Sequence, residues 1–311
     1  MKFKKPHFWD TSKLSIISIL LLPLTIPLLI KNYFTFKNNE KFEKISTVCV
    51  GNIYIGGTGK TPFAIKLNEI IKSLNFNSAF IKKYYQDQLD EQKLLKLNNK
   101  LYCDKNRLIS IKKAINEKKD LLIFDDGLQE KNINYNLTFV CFNIQNWVGN
   151  GFLLPAGPLR EKLSSLKNYS AAVLTGNGEN TIHIKKKIKQ INPKIKIFEA
   201  KYVPTNLKKF KKNVKYLVFS GIGNPSTFNK TLSINKIKIF EHIVFPDHYN
   251  YTNNDILKIK KKAKINNVKI LTSQKDYLRL SKKNKKKIEY LKVKLIIKNE
   301  SKLINFLKSS L

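Results

Sequence analysis

The sequence predicts an α/β protein built on parallel sheets, because short apolar runs rich in β-branched residues alternate with segments of helical spacing. Several of these runs end in glycine-rich or acidic loops, as strands do at the carboxyl edge of a parallel sheet. The 311 residues, of which 42% are hydrophobic, are enough for two domains of ordinary size. A polar, basic connector at 201–213 interrupts the alternation. The predicted organisation is therefore an N-terminal segment (1–34), a larger domain (35–205) and a smaller C-terminal α/β domain (206–311).

The glycine-rich stretch at 51–62 lies between a predicted buried strand at 45–50 and a predicted helix. It ends in Lys-Thr at the helix start, the context in which glycines turn backbone N–H groups toward phosphate oxygens. A strict phosphate-loop template has glycine at position 54, where this chain has Tyr54. The alternative is an ordinary glycine-rich turn. The predicted phosphate ligands are Gly56, Gly57, Thr58, Gly59, Lys60 and Thr61.

A second apolar run, at 121–124, ends in Asp125-Asp126-Gly127. Phosphate-loop proteins place a magnesium-holding carboxylate at the end of such a strand, and the loop's own hydroxyl residue completes the site. Thr61, Asp125 and Asp126 are therefore the predicted Mg²⁺ ligands, with one of the two acids free to meet Lys60 or the substrate. A solvent-exposed turn is the alternative reading of the acid pair.

Four further residues, at three places in the chain, are candidates for contact with substrate. A loop dense in glycine and proline at 149–161 carries Asn150 and Arg160, and a guanidinium there could clamp a phosphate or a carboxylate. His248 follows Asp247 at the end of a predicted strand, where an imidazole can titrate near neutral pH. Asp90 lies in a polar stretch, and from the residues alone a solvated acid and a functional acid are equally good readings.

Residues 14–30 form a run of seventeen residues without a charge, flanked by lysines and aromatic side chains. A straight helix of that length reaches roughly 25 Å, less than the ~30 Å of a bilayer's hydrocarbon core. Pro23 and Pro27 would also bend it. We expect a membrane-associated helix at 1–34, which either spans or partly inserts; a buried core helix is the alternative.

The formal net charge of +37 would ordinarily indicate a nucleic-acid or membrane partner. Only three of the 59 basic residues are arginines, however, and the lysines are scattered along the chain. No arginine–aromatic interleaving of the kind that binds bases is present. We therefore expect an anionic membrane surface as partner and no nucleic acid; the sequence makes no prediction of an oligomeric state.

Several motifs, in chain order, resemble the tetraacyldisaccharide 4′-kinase family, the lipid A 4′-kinases of Gram-negative bacteria. They comprise the phosphate loop at 50–62, Asp-Asp-Gly-Leu-Gln at 125–129, the Leu-Leu-Pro-Ala-Gly-Pro-Leu-Arg-Glu run ending at Glu161, Gly-Ile-Gly-Asn-Pro at 221–225, Phe-Pro-Asp-His at 245–248 and Thr-Ser-Gln-Lys-Asp at 272–276. The chain departs from the family pattern at 82–86, where Lys-Lys-Tyr-Tyr-Gln replaces the usual Ser-Arg-Gly-Tyr-Gly, and at Glu130 and Gln274.

The resemblance implies a bacterial inner-membrane enzyme whose body faces the cytoplasm. It implies transfer of the ATP γ-phosphate, with Mg²⁺, to the 4′-hydroxyl of tetraacyldisaccharide 1-phosphate, giving lipid IVA. By the same resemblance, Lys60 and Thr61 bind the ATP phosphates and the metal, and the catalytic acid–histidine pair falls on Asp90 and His248. A membrane-bound phosphate-loop nucleotide switch without lipid kinase activity is the alternative function, and a basic nucleic-acid binder is a third.

Overall fold

The computed structural model describes residues 5–11, 15–34, 42, 45–130, 132–211 and 213–311. These residues form two compact units. The phosphate-loop unit comprises Lys5–Tyr84, Asn98–Lys201 and Ile296–Leu311. The second unit comprises, among the described residues, Tyr85–Leu97 and Tyr202–Leu295.

The two sheets account for the strands of the described chain. In chain order the strands are β1 (Ser46–Gly51), β2 (Ser78–Lys83), β3 (Leu101–Asp104), β4 (Leu121–Asp125), β5 (Leu137–Asn143), β6 (Ala171–Thr175), β7 (Lys196–Pro204), β8 (Lys215–Ser220), β9 (Lys238–Val244), β10 (Lys269–Ser273), β11 (Ile288–Leu291) and β12 (Val293–Ile297). The larger sheet has eight strands in the order β12-β7-β6-β5-β1-β4-β2-β3, and every pairing from β7 to β3 is parallel. The smaller sheet has the order β11-β10-β8-β9 and is parallel throughout. The predicted α/β class with parallel sheets is confirmed.

The described residues also form α-helices. In chain order they are α1 (Ile16–Leu20), α2 (Ile26–Phe34), α3 (Lys60–Ser73), α4 (Leu89–Lys96), α5 (Arg107–Asn116), α6 (Ile182–Ile191), α7 (Pro225–Ile234), α8 (Asn253–Ile265), α9 (Gln274–Arg279) and α10 (Glu300–Lys308). Short 3₁₀ turns at His7–Trp9, Leu22–Thr25, Gln86–Gln88, Leu163–Asn168 and Leu207–Lys209 complete the described secondary structure.

The larger sheet is buried on both faces, which explains its continuous apolar strands. On one face, Ile111 of α5 and Ile184 of α6 join the apolar core cluster. On the other face, Phe63 of α3 packs against Phe139 of β5, with ring centroids 5.2 Å apart, and Phe306 of α10 packs on the same ring. The strands that carry the phosphate loop and the acid pair are therefore held rigidly at the centre of the unit.

The smaller sheet is covered in the same way. Ile256 of α8 packs on Leu217 and Phe219 of β8. Phe228 of α7 packs on the opposite side chains of that strand, Tyr216 and Val218 among them. Strand β8 thus contributes alternate side chains to two small apolar clusters, one on each face of the sheet.

The N-terminal segment is not the single helix that we predicted. Among the described residues it forms α1, a 3₁₀ turn at Leu22–Thr25 and α2. Pro23 lies in that turn and has no N–H to donate, so the helix cannot run through it. Over the described part of the chain, no helix has the length and apolar character needed to cross a bilayer. Residues 1–4 and 12–14 of the predicted segment lie outside the described residues.

The compact units do not follow continuous ranges of sequence, whereas the predicted domains 35–205 and 206–311 do. Residues 85–97, which precede most of the larger sheet's strands, belong to the second unit, because acidic side chains of α4 pair with basic side chains of α9. Residues 296–311 belong to the phosphate-loop unit, where α10 packs its phenylalanine on β5. Both assignments depend on contacts between residues that are far apart in sequence.

Candidate functional site

The loop between β1 and α3 has the backbone shape of a phosphate-binding turn. Gly56 and Gly59 have φ angles of 110° and 88°, in the left-handed region that favours glycine. Asn52 is buried, and its Nδ2 donates to the backbone oxygen of Tyr54 and to Oγ1 of Thr58, 3.0 Å away. The loop then enters a 14-residue helix whose first residue is Lys60. A helix N-terminus offers unpaired N–H groups and the positive end of its dipole to an anion.

Lys60 and Arg160 meet at the same carboxylate. The Nζ of Lys60 lies 3.1 Å from Oδ2 of Asp126, and Nη1 of Arg160 lies 2.8 Å from its Oδ1. Both cations also donate to Oδ1 of Asn52. Burial alone would raise the pKa of the Asp126 carboxyl, but the charges of Lys60 and Arg160 outweigh it and lower the pKa below its ordinary value. Three of the residues singled out from the sequence are thus brought together as one charged cluster.

Asp125 and Thr61 lie beside this cluster, at the carboxyl edge of the larger sheet. The register of β1 and β4 places Val50 opposite Asp125, so the phosphate loop and the acid pair leave the sheet side by side. Thr61 Oγ1 donates to Oδ2 of Asp125 over 3.0 Å, and Nζ of Lys82 lies 2.9 Å from the same oxygen. Oδ1 of Asp125 is buried and has no hydrogen-bond partner among the described residues.

These oxygens fit a magnesium ion. Mg²⁺ prefers oxygen ligands and usually binds one or two carboxylates together with substrate phosphates. The unpartnered Oδ1 of Asp125 and the hydroxyl of Thr61 offer oxygens of this kind beside the glycine-rich loop. Both oxygens of Asp126, in contrast, are paired with Lys60 and Arg160, so Asp125 is the better placed of the two predicted acids to bind Mg²⁺.

Other residues at this edge were not found from the sequence. Arg107 is buried; its Nη1 pairs with Oε2 of Glu130 at 2.7 Å and its Nη2 donates to the backbone oxygen of Asp126. Gln129 donates to the backbone oxygen of Asn52 and to Glu161. The scarcity of arginine was a signal for Arg107, since a chain that otherwise uses lysine has kept a guanidinium there. Nothing in the local pattern singles out Lys82.

Asn150, a predicted substrate ligand, has its amide engaged elsewhere. Its Nδ2 donates to Ser18 Oγ at 3.1 Å and to the backbone oxygens of Phe8 and Ala156, and its Oδ1 accepts from the N–H of Phe152. These contacts tie the 149–161 loop to the N-terminal segment. The structure therefore does not bring Asn150 into the cluster around Asp126.

The second unit holds the remaining predicted residues, Asp90 and His248. Oδ1 of Asp90 lies 3.1 Å from Nδ1 of His248, and its Oδ2 accepts from Nη2 of Arg279 at 2.7 Å. Burial by itself would raise the pKa of Asp90. The hydrogen bond from His248 and the charges of Lys275 and Arg279 outweigh it and hold the pKa well below the ordinary value. Asp90 is therefore a buried, ionised carboxylate.

A second layer of contacts holds this pair in place. The N–H of His248 donates to the backbone oxygen of Gly221, and the N–H of Gly221 donates to Oδ1 of Asp276. Asp276 also accepts from Tyr251 and Arg279. His248 has a φ of 55°, a strained value for a side chain of this size, which these contacts offset. Such support fixes the imidazole against Asp90.

Comparison with known proteins agrees with the arrangement. A family model described as tetraacyldisaccharide-1-P 4′-kinase matches residues 17–98 and 87–311. The chain is 50% identical over 305 residues to the tetraacyldisaccharide 4′-kinase of Pelagibacter ubique (strain HTCC1062), covering 98% of this chain and 97% of that one. It is 33% identical over 329 residues to the protein of the same name from Rickettsia canadensis (strain McKiel), covering 97% and 96%.

The fold is also similar to a crystal structure of the "apo" form of LpxK from Aquifex aeolicus in complex with ATP. The TM-score is 0.69 at 21% sequence identity, over 94% of this chain and 99% of that one. The family model and the curated relatives extend over nearly the whole sequence, and the chain therefore belongs to the tetraacyldisaccharide-1-P 4′-kinase family.

Proposed function

We propose that this chain transfers the γ-phosphate of ATP to the 4′-hydroxyl of tetraacyldisaccharide 1-phosphate, giving lipid IVA and ADP in lipid A biosynthesis. The observation that carries the proposal is the contact between the buried carboxylate of Asp90 and the partly exposed imidazole of His248. A nucleotide switch needs a phosphate loop and a metal site. A kinase that phosphorylates a hydroxyl also needs a base to accept the proton of that hydroxyl. Family membership supports the same reaction.

The phosphate-loop unit supplies the nucleotide contacts. The N–H groups of 56–59 and the start of α3 bind phosphate oxygens, and Lys60 reaches the outer phosphates once it leaves Asp126. Arg160 adds a second cation beside it. Thr61 and Asp125 would hold Mg²⁺, which when bound neutralises charge on the phosphates.

We assign the base to Asp90 and His248. The oxygen of the 4′-hydroxyl forms a bond to the γ-phosphorus while the bond from that phosphorus to the β–γ bridging oxygen of ATP breaks. The Asp90–His248 pair accepts the hydroxyl proton. An ionised Asp90 stabilises a positive charge on the imidazole and orients the ring. Arg279 and Lys275 keep Asp90 ionised.

The N-terminal segment attaches the enzyme to the cytoplasmic face of the bacterial inner membrane, where its glycolipid substrate lies. Large apolar side chains there face solvent: Ile16 is 77% and Leu20 is 72% exposed. A cluster of exposed apolar residues on a protein surface indicates a docking region. The strongly positive net charge of the chain favours binding to anionic lipid.

The test is transfer of labelled γ-phosphate from ATP to tetraacyldisaccharide 1-phosphate in detergent with Mg²⁺. We expect a labelled lipid whose formation requires both substrates. ATP binding without any labelled lipid, under conditions in which the Pelagibacter ubique relative forms product, would favour the switch. Salt-sensitive RNA binding without turnover would favour the nucleic-acid binder.

A further inference from the structure

The side chain of Lys82 ends at the proposed magnesium site. Strand β2 lies beside β4 with Ile81 opposite Phe124, so the next residues along the two strands, Lys82 and Asp125, are neighbours at the carboxyl edge of the sheet. The ammonium lies 2.9 Å from Oδ2 of Asp125, and the two side chains are 1% and 0% exposed. This is a fully buried ion pair at the carboxylate that the phosphate-loop chemistry assigns to the metal.

The two carboxylate oxygens of Asp125 differ in their partners. Oδ2 receives both the Lys82 ammonium and the Thr61 hydroxyl, and Oδ1 has no partner among the described residues. The Lys82 ammonium cannot dissociate into solvent as a free counter-ion can, because it is covalently part of β2. A cation that approaches Asp125 therefore meets an oxygen already partly neutralised and a positive charge close behind it.

Charge counting gives the same result for the ion pairs that Asp125 and Asp126 make. Lys60, Lys82 and Arg160 carry three positive charges, and Asp125 and Asp126 carry two negative ones, which leaves a formal +1 (3 − 2) among these five buried or half-buried groups. Such a site attracts a triphosphate and repels a free divalent cation. The phosphates of a nucleotide reverse that balance when they enter the loop.

We propose that Lys82 is a positioning residue that excludes Mg²⁺ from the empty phosphate loop, so that the metal binds only together with the phosphates of ATP. This inference rests on the proposed function for its assignment of Asp125 to the metal. A purely structural ion pair would stabilise the strand edge equally well, but it would leave metal affinity independent of the ammonium. Metal binding without nucleotide therefore separates the two.

The experiment is titration of the nucleotide-free full chain with Mn²⁺, followed by electron paramagnetic resonance of the free ion. For the wild type we expect weak binding that tightens strongly when a non-hydrolysable ATP analogue is added. Lys82→Met keeps the length of the side chain and removes its charge, and should tighten nucleotide-free Mn²⁺ binding about tenfold or more. Lys83→Met removes the same charge from the next, partly exposed residue of β2 and should change nothing.

Several results would overturn the inference. One is nucleotide-free Mn²⁺ affinity in Lys82→Met equal to that of the wild type. A second is that Lys82→Met binds the ATP analogue more weakly than the wild type does in the absence of metal, while its Mn²⁺ affinity is unchanged; Lys82 would then be a phosphate ligand. A third is a wild type that binds Mn²⁺ equally well with and without the analogue. The third result needs no variant, so the inference can be overturned even if Lys82→Met does not fold.

Lys82→Arg provides a second variant that keeps the charge, and it should retain weak nucleotide-free binding; tight binding in this variant would contradict the inference. The outcome is also separable from that of the proposed function. Wild-type transfer of phosphate to the lipid tests the reaction, whereas the Mn²⁺ titrations contain no lipid and no turnover.

Discussion

Oδ1 of Asp90 and Nδ1 of His248 lie 3.1 Å apart although 158 residues separate them in the sequence. The contact pairs the first turn of α4 with the loop that follows β9. Because Asp90 is held ionised and its other oxygen is taken by Arg279, it can orient the imidazole and stabilise a positive charge on it.

Asp90→Asn should lower kcat/KM for phosphate transfer about 10²- to 10⁴-fold, the usual contribution of general-base catalysis. The amide keeps the size of the side chain but cannot take up a proton or stabilise an imidazolium. ATP affinity should be unchanged, because the predicted nucleotide contacts all belong to the phosphate-loop unit. Labelled lipid formation and equilibrium ATP binding are the two measurements.

Asp87→Asn is the matched control, since Asp87 lies three residues earlier and is exposed. Its activity should equal that of the wild type. Equal activity in Asp90→Asn and Asp87→Asn would remove Asp90 from the reaction.

Lys275→Met should destabilise the protein in a pH-dependent manner. Lys275 Nζ lies 2.6 Å from Glu91 Oε1 and 3.8 Å from Asp90 Oδ2, and it contributes to the lowered pKa of Asp90. A carboxyl whose folded pKa is depressed adds stability above its unfolded pKa of about 3.9, and this stability is lost as the pH falls through the folded value. The free energy of unfolding should therefore drop by about 3 kcal/mol at pH 7.

The difference between wild type and variant should narrow as the pH falls below about 4, because Asp90 protonates in the folded variant before it protonates in the folded wild type, where Lys275 helps to hold its pKa low. Urea unfolding at pH 7 and pH 3 measures it. Lys269→Met is the control, because Lys269 pairs with Glu289 at the surface of the same unit. This change should lower the free energy of unfolding by less than about 1 kcal/mol. A difference for Lys275→Met that is the same at both pH values would show that the ion pairs do not cause it.

The site of the phosphate-loop unit could be predicted in large part from sequence. The loop at 51–62 and the acids at 125–126 each follow an apolar strand, and parallel strands bring such endings to one edge, as the pairing of β1 with β4 confirms. The parallel sheets themselves follow from continuous apolar runs that are buried on both faces.

What could not be predicted depends on long-range pairing of side chains. The Glu91–Lys275 ion pair joins residues 184 apart, and nothing near α4 indicates that it belongs to the second unit. Lys82 is one of 56 lysines, and only the adjacency of β2 and β4 distinguishes it from a solvated one. Asn52 was missed because its role, bridging Lys60 and Arg160, exists only in the folded loop.

Leu20→Glu should weaken membrane binding. Leu20 is 72% exposed at the end of α1 among other exposed apolar side chains, so a charge there disturbs no core. Losing one buried leucine at the membrane surface corresponds to about 2 kcal/mol, roughly 30-fold in partitioning. Co-sedimentation with phosphatidylglycerol vesicles measures the effect. Ile182→Glu is the control, because Ile182 is 71% exposed on α6, outside the N-terminal segment; equal loss in both variants would mean that the N-terminal residues have no special role.

Lys60→Ala should abolish phosphate transfer while leaving the fold intact. Without nucleotide, Lys60 is one of two cations on Asp126, and Arg160 still neutralises that carboxylate when Lys60 is removed. In the proposed reaction Lys60 contacts the outer phosphates from the start of α3, and Arg160 beside it does not replace that contact, so kcat should fall at least about 10²- to 10³-fold. Labelled lipid formation measures the loss, and circular dichroism with thermal unfolding checks the fold.

Lys66→Ala is the matched control for that change, because Lys66 lies on the same helix and is also paired, with Oε1 of Glu300 at 2.9 Å. It should lose some stability and keep its turnover, since its partners, Glu300 on α10 and Glu69 on α3, lie outside the phosphate loop. Turnover that survives in Lys60→Ala would mean that the phosphates are neutralised without the loop lysine, and the phosphate-loop mechanism would have to be abandoned. Loss of turnover in both variants, with both folded, would move the effect from the phosphate contact to the helix that carries it.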